Sequence, residues 1–192
     1  RWLWKLMAHP GNKPIYEHLL VKLFVAFLPA AVAGLLFHKQ IEDYLKHQLP
    51  VAIALIVGGI LIIVIERYCT RPWIRDAGDI SLWHALFIGV AQCAALFPGM
   101  SRSAATIMGA LLVGLSTAAA AEFSFFLAIP TLTAAGLFSL LKRLDEVHSE
   151  QGFLLTVGFG VSFITAWIVV AAFMKFIQSH KFTSFAVYRI VL

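Results

Sequence analysis

The run Pro98-Gly99-Met100-Ser101-Arg102-Ser103 holds the residues of this chain best suited to chemistry. It joins two apolar stretches, Leu82 to Phe97 and Ala104 to Leu115, each too short to cross a bilayer. An arginine at membrane depth costs at least a few kcal/mol unless it faces a polar cavity or a charged partner. Its planar fork can give a phosphate or carboxylate two parallel hydrogen bonds. Ser101 and Ser103 flank it with hydroxyls, and Ser103 stands where the cap of a helix beginning at Ala104 belongs. The unsatisfied N–H groups of that helix start would point at the same spot as the guanidinium. Thr106 lies one turn further in, and Gly99 permits close backbone approach. Pro98, Gly99, Ser101, Arg102, Ser103 and Thr106 are therefore expected to form an anion pocket. The competing reading is an interfacial loop arginine with Ser101 as an ordinary cap. The Pro-Gly break between two half-length segments favours the pocket.

Other polar groups are less decided. Gln92, about one and a half turns before Pro98, either reaches the same cavity or bonds a neighbouring helix. Glu122 reads first as an acid favoured by the dipole at the head of an apolar helix, and second as a partner for a buried arginine. His84 is expected near the interface rather than as a ligand, and Tyr188-Arg189 look like an interfacial anchor. Cys69 and Cys93 have neither CxxC spacing nor a histidine pattern, which points to no disulfide and no metal. Gly34, Gly58-Gly59, Gly109 and Gly114 read as close-packing points between helices.

The elements that position these residues follow from composition. Of 192 residues 60% are hydrophobic and 13% charged, about half the usual share of charge, so the chain cannot coat a globular surface. Apolar runs predict membrane spans at Leu19 to Phe37, Leu49 to Ile65, Phe123 to Leu141 and Phe153 to Met174, with a further one starting near Phe182. Pro29 and Pro130 should kink their helices, and Lys22 should snorkel from one end of the first. The two short segments around Pro98 predict a re-entrant helix–loop–helix, because non-helical backbone at membrane depth survives only inside protein or beside a wet cavity. The fold class is thus an all-α polytopic bundle, one integral membrane domain over residues 1–192. The net charge of +5 sits in short segments between apolar runs, which suits lipid headgroups and argues against nucleic acid. With the re-entrant segment not crossing, eight basic residues (Arg1, Lys5, Lys13, Arg67, Arg71, Arg75, Lys175, Lys181) fall on one side. Four (Lys39, Lys46, Lys142, Arg143) fall on the other, with Glu42, Asp43, Asp145, Glu146 and Glu150, and the first side is expected to be cytoplasmic.

Gln92 to Thr106, read Q-C-A-A-L-F-P-G-M-S-R-S-A-A-T, resembles the second signature of the undecaprenyl-pyrophosphate phosphatase, or bacitracin-resistance, family. The stretch Ala121 to Pro130, A-E-F-S-F-F-L-A-I-P, and the closing F-A-V-Y-R, Phe185 to Arg189, are similar to that family too. The resemblance implies a multi-pass protein of the bacterial inner membrane, half of an inverted-repeat architecture, acting on a polyprenyl pyrophosphate lipid. The implied reaction is hydrolysis of undecaprenyl pyrophosphate to undecaprenyl phosphate and phosphate, recycling the carrier of peptidoglycan precursors and conferring bacitracin resistance. It implies a phosphate-binding role for Ser101, Arg102, Ser103 and Thr106, substrate contacts from Gln92, Pro98 and Gly99, and support from Arg189. It also implies a divalent cation, magnesium or calcium, and admits a homodimer. The family has glycine directly after S-R-S, where this chain has Ala104. The family's first signature, a Glu-x-x-x-Glu pair, is not found here, and the chain begins at Arg1 without Met. The expectation is a chain lacking its N-terminal part, with the metal ligands in that part. The rival reading is a polyprenyl-phosphate transporter or scramblase that does not hydrolyse its cargo.

Overall fold

The computed structural model describes residues 18–44, 48–69, 71–142, 152–177 and 182–191. Among these, seven α-helices follow one another. They are α1 (Leu19–Tyr44), α2 (Gln48–Tyr68), α3 (Leu82–Gln92), α4 (Arg102–Leu112), α5 (Thr117–Lys142), α6 (Gly152–Ile177) and α7 (Thr183–Val191). Four of them, α1, α2, α5 and α6, are long and apolar enough to cross a membrane. The four full-length spans expected are present, and α1 and α5 run on through Pro29 and Pro130 without interruption. The further span expected from Phe182 is, among the described residues, the nine-residue α7, too short to cross. The protein is a multi-pass helical membrane protein.

The segment around Pro98 folds as a hairpin of half-length helices. The 11 residues of α4 make a rod of about 17 Å, roughly half the thickness of the hydrocarbon core. α3 tightens into a 3-10 turn at Cys93–Leu96 before the proline, and α4 starts at Arg102. The two helices lie against each other where Gly109 meets Ala91, and a Cβ there would fall 2.6 Å from the Ala91 methyl. Entry and exit of the hairpin are joined. The N–H groups of Trp73 and Ile74 both donate to the Gly114 carbonyl at 3.1 Å, and Ser116 N–H donates to Ile74 O at 2.8 Å. A chain segment whose two ends are clamped together and whose tip turns back is re-entrant. Gly114, at φ 91°, supplies the turn and lies under the Trp73 ring, so it is a turn residue rather than the helix-packing point expected.

The remaining helices enclose the hairpin. α1 crosses α3 at Gly89, where a Cβ would sit 2.3 Å from the Ala26 carbonyl oxygen. The buried core runs through α1, α3, α4 and α5, with Ala26, Ala85, Ile88, Ala110, Ala120 and Phe123 fully enclosed. α2 receives α7 along Gly58-Gly59. The carboxylate of Glu66 accepts hydrogen bonds from Phe182 N–H, Thr183 N–H and Thr183 Oγ1 at 2.6–2.8 Å, capping the start of α7.

Several expectations need correction. Lys22 does not snorkel. It is 5% exposed, and its Nζ donates to the Gly78 carbonyl at 2.7 Å, holding the loop before α3 against α1. Glu122 is not at a helix head, because α5 begins at Thr117 with Ser116 Oγ accepting from Ala119 N–H. His84 closes a capping box with Ser81 at the start of α3. Of the charges used for orientation, Arg1, Lys5, Lys13, Lys46, Arg143, Asp145, Glu146, Glu150 and Lys181 lie outside the described residues, as do the side chains of Lys39, Glu42 and Asp43.

The α1–α3 crossing can be tested directly. Gly89→Ala should destabilise the protein by about 1–3 kcal/mol through overpacking against backbone. Gly136→Ala inside α5, where a Cβ meets nothing within 4 Å, should not lower thermal stability in detergent and should raise it slightly through helix propensity.

Candidate active site

The tip of the hairpin carries two residues with left-handed backbone, Gly99 at φ 93° and Ser101 at φ 66°. Gly99 is pressed against the Val51 carbonyl of α2, where a Cβ would be 2.4 Å away, so no other residue fits. Ser101 is the cap of α4. Its Oγ accepts from Ala104 N–H at 3.4 Å and its carbonyl accepts from Ala105 N–H at 3.1 Å. This corrects the expected cap at Ser103, which lies in the first turn instead. A positive φ at a non-glycine residue costs on the order of 1–3 kcal/mol, and such strain collects at functional sites.

Arg189 of α7 secures this loop. Its Nη2 donates to Gly99 O at 2.7 Å and to Met100 O at 3.0 Å. Gly58 makes room for it, since a Cβ there would be 2.8 Å from the same nitrogen. Nε and Nη1 of Arg189 are buried and have no acceptor among the described residues. One nitrogen of Arg189 thus fixes the loop, and the other two are left without a protein acceptor among the described residues.

Arg102 is half-buried, and its Nη1 donates to the Ser124 carbonyl at 3.2 Å. Thr106 is fully buried. Its Oγ1 lies 2.6 Å from Ser124 Oγ and within reach of the carbonyls of Arg102 and Ser103, at 3.0 and 3.1 Å. Gln92, also buried, donates to Thr131 Oγ1 at 3.4 Å. It stands behind the loop, and the helix-bonding alternative describes it better than substrate contact.

A cavity of about 310 Å³ opens beside the loop. Ser101, Ser103, Ser124 and Arg189 line its polar part, and Phe125, Val169, Val170, Phe173, Phe182 and Phe185 form much of its apolar wall. Neither Arg102 nor Thr106 is among its lining residues. The aromatic wall is itself ordered, with Phe173 packed edge-on against Phe125 and Phe185 at 5.6 and 5.4 Å. Hydroxyls, a guanidinium and a helix N-terminus favour an anion over a cation. Among the described residues no three His, Cys, Asp or Glu side chains come together, so the residues at this cavity do not by themselves fit a divalent metal.

Residues 2–192 match the family described as bacitracin resistance protein BacA. The chain belongs to this family. It is 47% identical over 187 residues to the undecaprenyl-diphosphatase of Aromatoleum aromaticum, covering 97% of this chain and 68% of the relative. It is 52% identical over 171 residues to that of Nitrosomonas eutropha, covering 89% and 63%. With that of Caldanaerobacter subterraneus the identity is 52% over 176 residues, covering 91% and 65%. The chain thus spans about two thirds of the length of these relatives. All three stretches that carry the resemblance to the family, Gln92 to Thr106, Ala121 to Pro130 and Phe185 to Arg189, converge on the loop.

Ser124 was not singled out by its sequence context. A serine within A-E-F-S-F-F reads as a small residue on an apolar helix, and only the fold brings it to Arg102 and Thr106.

The cap at Ser101 separates two effects. Ser101→Ala should lower thermal stability by more than about 1 kcal/mol, because it loses the cap and keeps the strained φ. Ser101→Gly loses the same hydroxyl but fits the backbone, and should be the more stable variant in the same melts.

Proposed function

We propose that this chain carries the phosphate-binding part of an undecaprenyl-pyrophosphate phosphatase of the bacterial inner membrane. One observation supports the reading most: a cavity at the tip of a re-entrant hairpin with a small polar end, bordered by Ser101, Ser103, Ser124 and Arg189, and a large apolar aromatic wall. A pyrophosphate headgroup suits the first part and a prenyl chain suits the second.

In the proposed reaction water adds across the P–O–P anhydride, giving undecaprenyl phosphate and inorganic phosphate. Negative charge on the transferred phosphoryl group needs positioned donors in a dry site. The backbone N–H groups of the α4 N-terminus and the Arg189 guanidinium, itself held by the loop carbonyls, would supply such donors. Arg102, in the first turn of α4, is held by the Ser124 carbonyl at 3.2 Å, behind the cavity lining, and would have to turn from that carbonyl to reach a phosphate. A divalent cation would need carboxylates from outside the described cavity.

The test is phosphate release from undecaprenyl pyrophosphate by the whole polypeptide as the cell makes it, purified in detergent. Arg102→Ala should lower the rate by about 10²–10³-fold or more. Near-native turnover in that variant, or lipid flipping without release of phosphate by the native protein, would contradict the assignment. EDTA should abolish release and added magnesium or calcium should restore it. Full activity in chelator would remove the cation from the account.

A further inference from the structure

Two hydroxyls stand 2.6 Å apart behind the loop, and only one of them belongs to a residue that reaches the cavity. Both residues are buried, Thr106 at 0% and Ser124 at 2% exposure, but Ser124 borders the cavity and Thr106 does not. Proton bookkeeping fixes what this pair can do. Each hydroxyl has one proton to donate and lone pairs to accept with. The carbonyls of Arg102 and Ser103, at 3.0 and 3.1 Å from Thr106 Oγ1, can only accept. When Thr106 donates to them, Ser124 donates to Thr106 and offers the cavity no proton. When Thr106 turns its proton to Ser124 Oγ, the Ser124 proton is released toward the cavity.

Building on the phosphatase reading, we propose that Ser124 is a substrate-binding residue whose hydroxyl donates to a pyrophosphate oxygen, with Thr106 behind it as its positioning partner. An anion in the cavity selects the second arrangement, Thr106 to Ser124 to phosphate, and a chain of hydrogen bonds ending on a charge strengthens each member. The same residue's carbonyl holds Arg102 at 3.2 Å, so one turn of α5 sets both the donor hydroxyl and the guanidinium. Thr106 acts through Ser124 and does not touch the phosphate.

The experiment measures both farnesyl pyrophosphate affinity, by titration calorimetry in detergent, and phosphate release, in the whole polypeptide. Ser124→Ala should weaken binding and lower kcat/KM by about tenfold or more, as expected for a lost hydrogen bond to a charged group. Thr106→Val should lose no more than Ser124→Ala. The double variant should be no worse than Ser124→Ala, and Thr106→Ser should restore native behaviour. If Ser124→Ala does not fold, Ser124→Cys, similar in bulk but a weak donor, makes the same comparison. Binding and turnover within twofold of native in the Ser124 variant would overturn the proposal, as would a Thr106→Val loss that exceeds it and adds to it. A native protein that binds but releases no phosphate would refute the phosphatase reading alone, with Ser124 still judged by its binding ratio. A native protein that neither binds nor hydrolyses would end both.

Discussion

Peptide groups outside a helix must find partners when they are carried to the depth of a membrane, and the Pro98–Ser101 loop meets this constraint through Arg189. Each unsatisfied carbonyl there costs several kcal/mol. Nη2 of Arg189 supplies a donor to both Gly99 O and Met100 O. The guanidinium that answers the backbone also brings a positive charge to the same place. Stabilising the loop and bringing a cation beside the cavity are therefore one interaction, and the rest of the bundle can be read as the means of delivering that arginine.

The delivery begins at Glu66, near the end of α2. Its carboxylate takes the first N–H groups of α7 and starts that helix beside α2. Arg189 follows six residues after Thr183, about 9 Å further along the helix. It arrives opposite Gly58, where the missing side chain leaves space for it. From the other side, the clamp between Ile74 and the Gly114–Ser116 turn holds both ends of the hairpin, so that its tip is aimed at α2.

Much of this was legible in the sequence. Long apolar runs gave the four spanning helices, because hydropathy over twenty residues depends little on tertiary context. The Pro98-Gly99 break between half-length segments gave the re-entrant hairpin, and the Ser-Arg-Ser triplet marked its tip, where the two serines line the cavity and Arg102 does not. What stayed hidden depends on contacts between distant segments. The cap lies at Ser101 and not Ser103 because the tip takes two left-handed residues, and a serine carries no sign of positive φ. Lys22 reads as a snorkelling residue until the Gly78 carbonyl is seen 2.7 Å from it. Ser124 looks like packing until the fold brings it to the cavity that Arg189, already pointed to by the resemblance, also lines.

The claim on which the account rests is that the loop forms an anionic headgroup site open to water and not a packed turn. Ser101, exposed and lining the cavity, reports on it most directly. With Cys69 and Cys93 replaced by alanine, Ser101→Cys in the whole polypeptide would be treated with a water-soluble, negatively charged thiosulfonate in membrane vesicles. The account predicts rapid labelling that farnesyl pyrophosphate blocks and farnesol at the same concentration does not. Labelling that is absent, or that both compounds affect equally, would contradict it.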